Sequence, residues 1–320
     1  LRSFAGEADL KPIAHLLNTC AVVDRLDRYH SVSDLRADYS EPGFDPSRDL
    51  RLWEDAQGQL IALAQLWVPQ TALLPEVDGW LGLQVHPQHR DRGLEFDMLA
   101  WGEIRMQQVS QERGVPAKLY VTCRESRSDR IALYQKCGYG LERRFLRMSR
   151  SLAEPIAEPQ LPQGFVLSHT RGVADASAWV EAYNHSFIDH WGFHPATVEA
   201  HCHWLNQANY RPELDLVAIA PTGQIAAFCF CHIDLEKNQH RHCKQGGINI
   251  LGTRRGFRRL GLGRAMLLAG LQKLKAEGME TAILGVDTEN PNQAQSLYAS
   301  AGFQKVYANL SYAKQLGLAG

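Results

Sequence analysis

Apolar and polar positions alternate in short runs along this chain and then recur at helical spacing, and one order of elements is written twice. In the first half, residues 50–53 and 60–68 read as strands and 80–85 as a third. A polar loop to Gly93 follows, then a long helix to about Arg113, a strand over 118–122 and a helix ending at Gly138. In the second half, 165–168 reads as a strand, 174–186 and 195–206 as helices, and 214–220 and 224–233 as strands paired around the Thr222-Gly223 turn. Next come the apolar run 248–251, a Gly/Arg loop over 253–263, a helix to about Glu277 with Leu267, Leu271 and Leu274 on one face, and a strand over 281–286. A short helix is expected to start at Pro291, a favoured first-turn residue, and to stop at Gly302.

Strands interleaved with helices predict an α/β (α+β) class, with a mixed central sheet flanked by helices in each half. Leu133-Tyr134 followed by Gly138-Tyr139, and Leu297-Tyr298 followed by Gly302-Phe303, repeat one LYxxxG[YF] pattern half a chain apart, which marks duplicated domains. Between them Pro155, Pro159 and Pro162 stand among acidic residues with little periodic apolar content, as in an extended connector. The expected division is therefore a domain over 1–150, a linker over 151–163 and a second domain over 164–320.

The length of 320 residues suits two domains, and 45% apolar with 22% charged residues suits folded ones. Lys and Arg total 34 against 35 for Asp and Glu, so no basic field recommends nucleic acid, and small molecules become the expected partners. Apolar runs fall far short of the roughly 20 residues that span a bilayer, so no membrane partner is expected. Seven scattered cysteines without a CxxC pair predict reduced thiols in a cytoplasmic protein. The chain opens in what reads as mid-strand, from which a short preceding segment is expected, and no signal-peptide pattern is present. Oligomeric state leaves no trace.

The Gly/Arg loop carries the chemistry. Arg258-Arg259-Leu260-Gly261-Leu262-Gly263-Arg264 stands between a strand and an amphipathic helix. A helix start leaves about four unpaired N–H groups and roughly half a positive charge, and glycines let an anion approach that backbone. It matches neither GxxxxGK[ST] nor GxGxxG. On the loop alone, a glycine-rich helix start with solvated arginines remains the other reading.

This loop, with the strand ending near Val286, Glu289-Asn290 and the Leu297-Tyr298…Gly302-Phe303 helix end, resembles the acetyl-CoA-binding half of a GCN5-related N-acetyltransferase (GNAT). The first half has a similar loop, but with Glu95 where the last glycine belongs, so its domain is expected to bind acetyl-CoA weakly or not at all. A tandem pair with the better-kept motif in the second half is similar to the mycothiol synthase group, and the stretch from Asn184 to Phe193 resembles the substrate-side helix and loop of that group. The resemblance implies transfer of an acetyl group from acetyl-CoA, as cosubstrate, to a primary amine of a small molecule. It implies that the strand around Leu251 and Thr253 holds the pantetheine arm, and that Arg258, Arg259, Leu260, Gly261, Leu262, Gly263 and Arg264 surround the pyrophosphate, with Asn290 at the arm or serving as a helix cap.

Tyr298 matches the family's tyrosine near the cofactor sulfur and is the expected general acid, since a phenol of pKa about 10 stays protonated at neutral pH. A buried core tyrosine is the competing reading, because Tyr134 repeats it. His232 and Asp234 are candidates for the base, with Glu236, Asp189 and His190 as further polar residues near the acceptor. An α-amine of pKa about 8 costs only about 1.4 kcal/mol to deprotonate at pH 7, against nearly 5 for a lysine, so an α-amine or aminosugar needs little help. The histidines around 201–203 and 240–242 lack metal-site spacing, and no metal is expected; 240–244 reads as a solvated loop. A non-catalytic acyl-CoA sensor is the alternative from another class, and mycothiol synthase the narrower enzyme.

Overall fold

The computed structural model describes residues 1–69, 75–207, 209–290 and 292–317. The chain runs through β1 (Arg2–Ser3), α1 (Glu7–Val23), α2 (Val32–Tyr39), α3 (Pro46–Asp49), β2 (Leu50–Glu54), β3 (Leu60–Trp67), β4 (Val77–Val85), α4 (Leu94–Arg113), β5 (Ala117–Arg124), α5 (Ser128–Lys136) and β6 (Gly140–Ser151). It continues through β7 (Val166–His169), α6 (Ala176–Phe187), α7 (Val198–Leu205), β8 (Asp215–Ile219), β9 (Ile225–His232), α8 (Leu235–His240), β10 (Gln245–Thr253), α9 (Leu262–Ala276), β11 (Thr281–Asp287), α10 (Ala294–Ser300) and β12 (Gln304–Leu316). The expected start of the last helix, Pro291, lies outside the described residues. Residue 240, expected in a loop, ends α8, because Asp234 accepts a bond from Lys237 N and starts a helical turn there.

The chain forms two compact units, Leu1–Arg143 with Asn309–Gly320, and Arg144–Ala308. In the first, β1, β2, β3 and β4 pair antiparallel in order, β4 pairs parallel with β5, and β5 pairs antiparallel with Asn309–Leu316 of β12. In the second, β7, β8, β9 and β10 pair antiparallel, β10 pairs parallel with β11, and β11 pairs antiparallel with Phe145–Ser151 of β6. Both are mixed sheets with the same order.

This division departs from one cut at the proline-rich segment. The closing strand of each sheet comes from the other half of the sequence. Leu310, Tyr312 and Leu316 enter the core of the first unit, whereas Leu146, Met148 and Leu152 enter that of the second. The connector itself is tied to the second unit, where buried Arg150 donates to the carbonyl of Pro155 at 2.6 Å and also to that of Ala301.

The second unit is built on the expected amphipathic helix. Leu267, Leu271 and Leu274 of α9 are fully buried, each worth roughly 2 kcal/mol. They share a core with Leu216, Cys229, Ile248 and Leu284. Elsewhere in the unit, Trp179 and Val180 of α6 pack with Val217 and Phe228.

Candidate active site

Strand pairing opens the site. β10 and β11 pair only over Gln245–Ile248 and Thr281–Leu284, after which β10 continues against β9 alone, with a register shift between Ile248 and Ile250. Leu251, Gly252 and Thr253 beyond the split form one wall of a cavity of about 310 Å³. A second wall is the start of α9. Gly261 caps that helix with φ 86, a left-handed conformation that glycine adopts without cost, and no side chain bonds to the cap. The first-turn N–H groups are therefore available to an anion. A Cβ built on Gly263 would lie 3.5 Å from Thr253 Oγ1 and 3.7 Å from Leu297, ordinary contact, so alanine would fit while a longer side chain would enter the cavity.

Arginines ring this point. Arg258 donates to Asp189 Oδ2 at 2.9 Å and to the Ser186 carbonyl at 2.8 Å, and Arg255 pairs with the same carboxylate. Hydrogen bonds from Arg258 and then Arg255 hold the Asp189 carboxyl below its usual range. Arg264 donates to Ser300 Oγ at 2.7 Å. Arg259, at φ 65, makes no hydrogen bond or ion pair among the described residues, so its guanidinium is open to a ligand, and Arg264, bonded to an uncharged hydroxyl, keeps its charge as well.

The remaining wall is helical. Ala294, Leu297 and Tyr298 present one face of α10, and Tyr298 is buried, its ring 6.1 Å from Phe303. Burial raises its phenol above the ordinary value. The hydroxyl makes no hydrogen bond among the described residues. Asn290 and Asn292 follow β11, and Ser186, Phe187 and His190 complete the lining, His190 beside Asn290. Asn290 is not the helix cap, a place taken by Gln293.

Every residue expected around acetyl-CoA lines this cavity apart from Leu260, which is 50% exposed and outside the wall. His232 and Asp234 are not brought to it. Asp234 is engaged as the cap of α8, and His232 ends β9 opposite Gly247. Gly252, Asn292, Ala294 and Leu297 also line it and are not among the expected site residues, whereas Ser186 and Phe187 belong to the stretch from Asn184 to Phe193 read as the substrate side. The spacing of Ala294, Leu297 and Tyr298, three and four apart, was the available signal.

The first unit repeats the backbone and reverses the charge. Gly93 caps α4 at φ 87, as Gly261 caps α9, and Asp91 takes φ 60 where Arg259 takes 65. Asp91 and Glu95 line a cavity of about 360 Å³ at this helix start. Buried Arg130 lies 3.8 Å from Glu95, while Arg90 and Arg127 are held by Asp24. Arg90, Arg127 and Arg130 are thus each engaged by carboxylates of their own unit.

Comparison with known proteins agrees with this geometry. Residues 176–303 match the family model described as Acetyltransferase (GNAT) family. The mycothiol acetyltransferase of Streptomyces bingchenggensis is 28% identical over 269 residues, 83% of this chain and 80% of that protein. That of Kineococcus radiotolerans is 30% identical over 241 residues, 74% and 73% of the two. Among solved structures, a GCN5-related N-acetyltransferase from Sphaerobacter thermophilus shares the fold at TM-score 0.74 and 24% identity, covering 99% of this chain and 95% of that one. A tandem GNAT protein from the clavulanic acid biosynthesis pathway does so at 0.69 and 15%, covering 99% and 98%. The chain belongs to the GCN5-related N-acetyltransferase family and is an N-acetyltransferase.

Proposed function

We propose that the second unit transfers an acetyl group from acetyl-CoA to a primary amine of a small molecule, and that the first unit has lost its cofactor site. The observation that carries this is the coincidence, on one cavity, of an uncapped helix start, the unpartnered Arg259 and the free Tyr298 phenol. The residues fit the cosubstrate: the N–H groups at Gly261 to Arg264 and the Arg259 guanidinium suit its pyrophosphate, and the unpaired edge around Leu251 to Thr253 suits its amide arm. Acetyl-CoA would supply the activated acetyl group as a thioester. Tyr298, kept neutral by burial, donates its proton to the departing sulfur, whose conjugate acid is a thiol of pKa about 8.5.

Neither His232 nor Asp234 borders the cavity, so the reading assigns the amine proton to solvent. That suits an α-amine or aminosugar, of which about a tenth is neutral at pH 7 when the pKa is about 8. A narrower version, that the acceptor is the amine used in mycothiol synthesis, is supported by mycothiol acetyltransferase relatives, one of them 30% identical. Seven free cysteines fit the reducing cytoplasm in this reading.

Calorimetric titration with acetyl-CoA tests the placement, with thiol release over a panel of small amines, the mycothiol precursor among them, as the activity readout. One equivalent per chain is expected, and Gly263→Glu should abolish binding, since its carboxylate enters the pyrophosphate position. Binding that survives this change would overturn the site.

A further inference from the structure

The segment joining α6 to α7 sets a histidine against the turn that leads into α10. His190 Nε2 lies 3.1 Å from Asn290 Nδ2, and both side chains line the cavity. The other end of the Asn290 amide is fixed, because its Oδ1 accepts the main-chain N–H of Asn292 at 2.8 Å. A backbone N–H must meet an oxygen, so the amide nitrogen is the end that faces the imidazole. That nitrogen can only donate. His190 Nε2 must then offer a lone pair, which places the single ring proton of the neutral imidazole on Nδ1.

We infer that His190 is a positioning residue for the transfer reaction: as the neutral Nδ1–H tautomer it holds the Asn290 amide, and through it the turn that carries α10 and Tyr298. The inference rests on the acetyl-CoA reading of the cavity. His190 itself is held in place by its main-chain N–H donating to the Phe187 carbonyl at 2.7 Å and by the edge contact of its ring with Phe187 at 5.6 Å. The charged groups on the elements that meet here are Asp189, paired with Arg255 and Arg258, the arginines of the cavity wall, and Asp287 and Glu289 just before Asn290, of which Asp287 accepts the main-chain N–H of Glu289. Among the described residues, His190 Nε2 is the acceptor that the Asn290 amide nitrogen meets. A proton on Nε2 would oppose two N–H groups, and flipping the amide would set its NH₂ against Asn292 N.

Two measurements on the full chain test this. In spectra of protein labelled with ¹⁵N-histidine, with the His190 signal identified by its loss in His190→Gln, a protonated Nδ1 and bare Nε2 are expected at pH 8. In kinetics, His190→Phe keeps a ring but no acceptor and should lower kcat/KM on the order of tenfold. His190→Gln, whose amide oxygen can accept, should recover most of that loss. A protonated Nε2, or a Gln variant as impaired as Phe, overturns the inference. Wild-type protein that fails to bind acetyl-CoA overturns the cavity reading instead, and the ligand-free spectra still decide the hydrogen bond.

Discussion

Tyr134 and Tyr298 occupy the same place in a repeated motif, and only their hydroxyl partners separate them. Tyr134 donates to the carbonyl of Thr122 at 3.3 Å, whereas Tyr298 lines the cavity and its hydroxyl makes no hydrogen bond among the described residues. Removing the first oxygen takes away a structural hydrogen bond, and removing the second takes away the proton donor of the proposed reaction. Tyr134→Phe is therefore expected to lower stability by about 1 kcal/mol with acetyl transfer intact. Tyr298→Phe should leave the denaturation midpoint nearly unchanged and slow thiol release on the order of a hundredfold. Because burial pushes the Tyr298 phenol above its usual value, it stays protonated throughout the neutral and mildly alkaline range, and the wild-type rate should show no alkaline fall below pH 9 that Tyr298→Phe removes. The motif was legible in the sequence and the distinction was not, since it depends on whether a carbonyl from a separate strand lies within reach of the hydroxyl.

Helix starts are local and therefore readable. Glycines with arginines beside them lead to the expectation of an anion cradle at the start of α9, and Glu95 to that of a weak or absent one at α4, each from a few neighbouring residues. What fills the first unit's cavity was not readable in this way. Arg130, on the wall of that cavity, occupies the motif position that Ala294 holds on α10, and it approaches Glu95 only in the folded unit. Glu95→Gly alone should consequently fail to create a second acetyl-CoA site, because Asp91 remains and Arg130 still occupies the wall; a calorimetric stoichiometry of two per chain would contradict this. A second element-level device joins β8 to its neighbours. Asp215 at its start is fully buried and accepts from Trp179 of α6 at 3.3 Å, from Tyr210 at 3.2 Å and from Thr170 at 3.3 Å. Burial outweighs these bonds and pushes its carboxyl up to about 6. The folded unit thus holds a proton that the unfolded chain, with a pKa near 3.9, releases. The contribution to stability is full below about pH 4, declines as pH rises through 6, and is flat above, with a span of at most about 3 kcal/mol. Asp215→Asn should flatten this part of the profile, read as the difference in urea midpoint between wild type and variant from pH 4 to 8.

At the scale of the whole chain, the repeat and the connector proposed two domains in sequence, and the strand pairing instead exchanges their last strands. The alternation in β6 and β12 shows that each needs a sheet partner but does not name one. Leu146 and Met148 would suit any apolar face, as would Leu310 and Tyr312, and pairing between distant strands leaves no local mark. The exchange has a consequence that domains cut at the linker would lack. A fragment over 1–150 has no partner for the outer edge of β5, because Asn309–Leu316 is missing. A fragment over 164–320 likewise leaves β11 without Phe145–Ser151. Each also loses buried apolar side chains from its core, at a cost of about 2–5 kcal/mol for a single large residue, a substantial part of the stability of an ordinary domain. Expressed apart, both fragments should lack a cooperative unfolding transition and the second should fail to bind acetyl-CoA. Expressed together they should co-purify and regain one binding site, because the edges left open in each are those the other can fill. Within the intact chain, Tyr312→Ala should speed amide exchange in β4 and β5 while leaving β10 and β11 protected, although Tyr312 follows the second-unit residues in sequence. The opposite pattern would place β12 with the second unit and return the boundary to the linker.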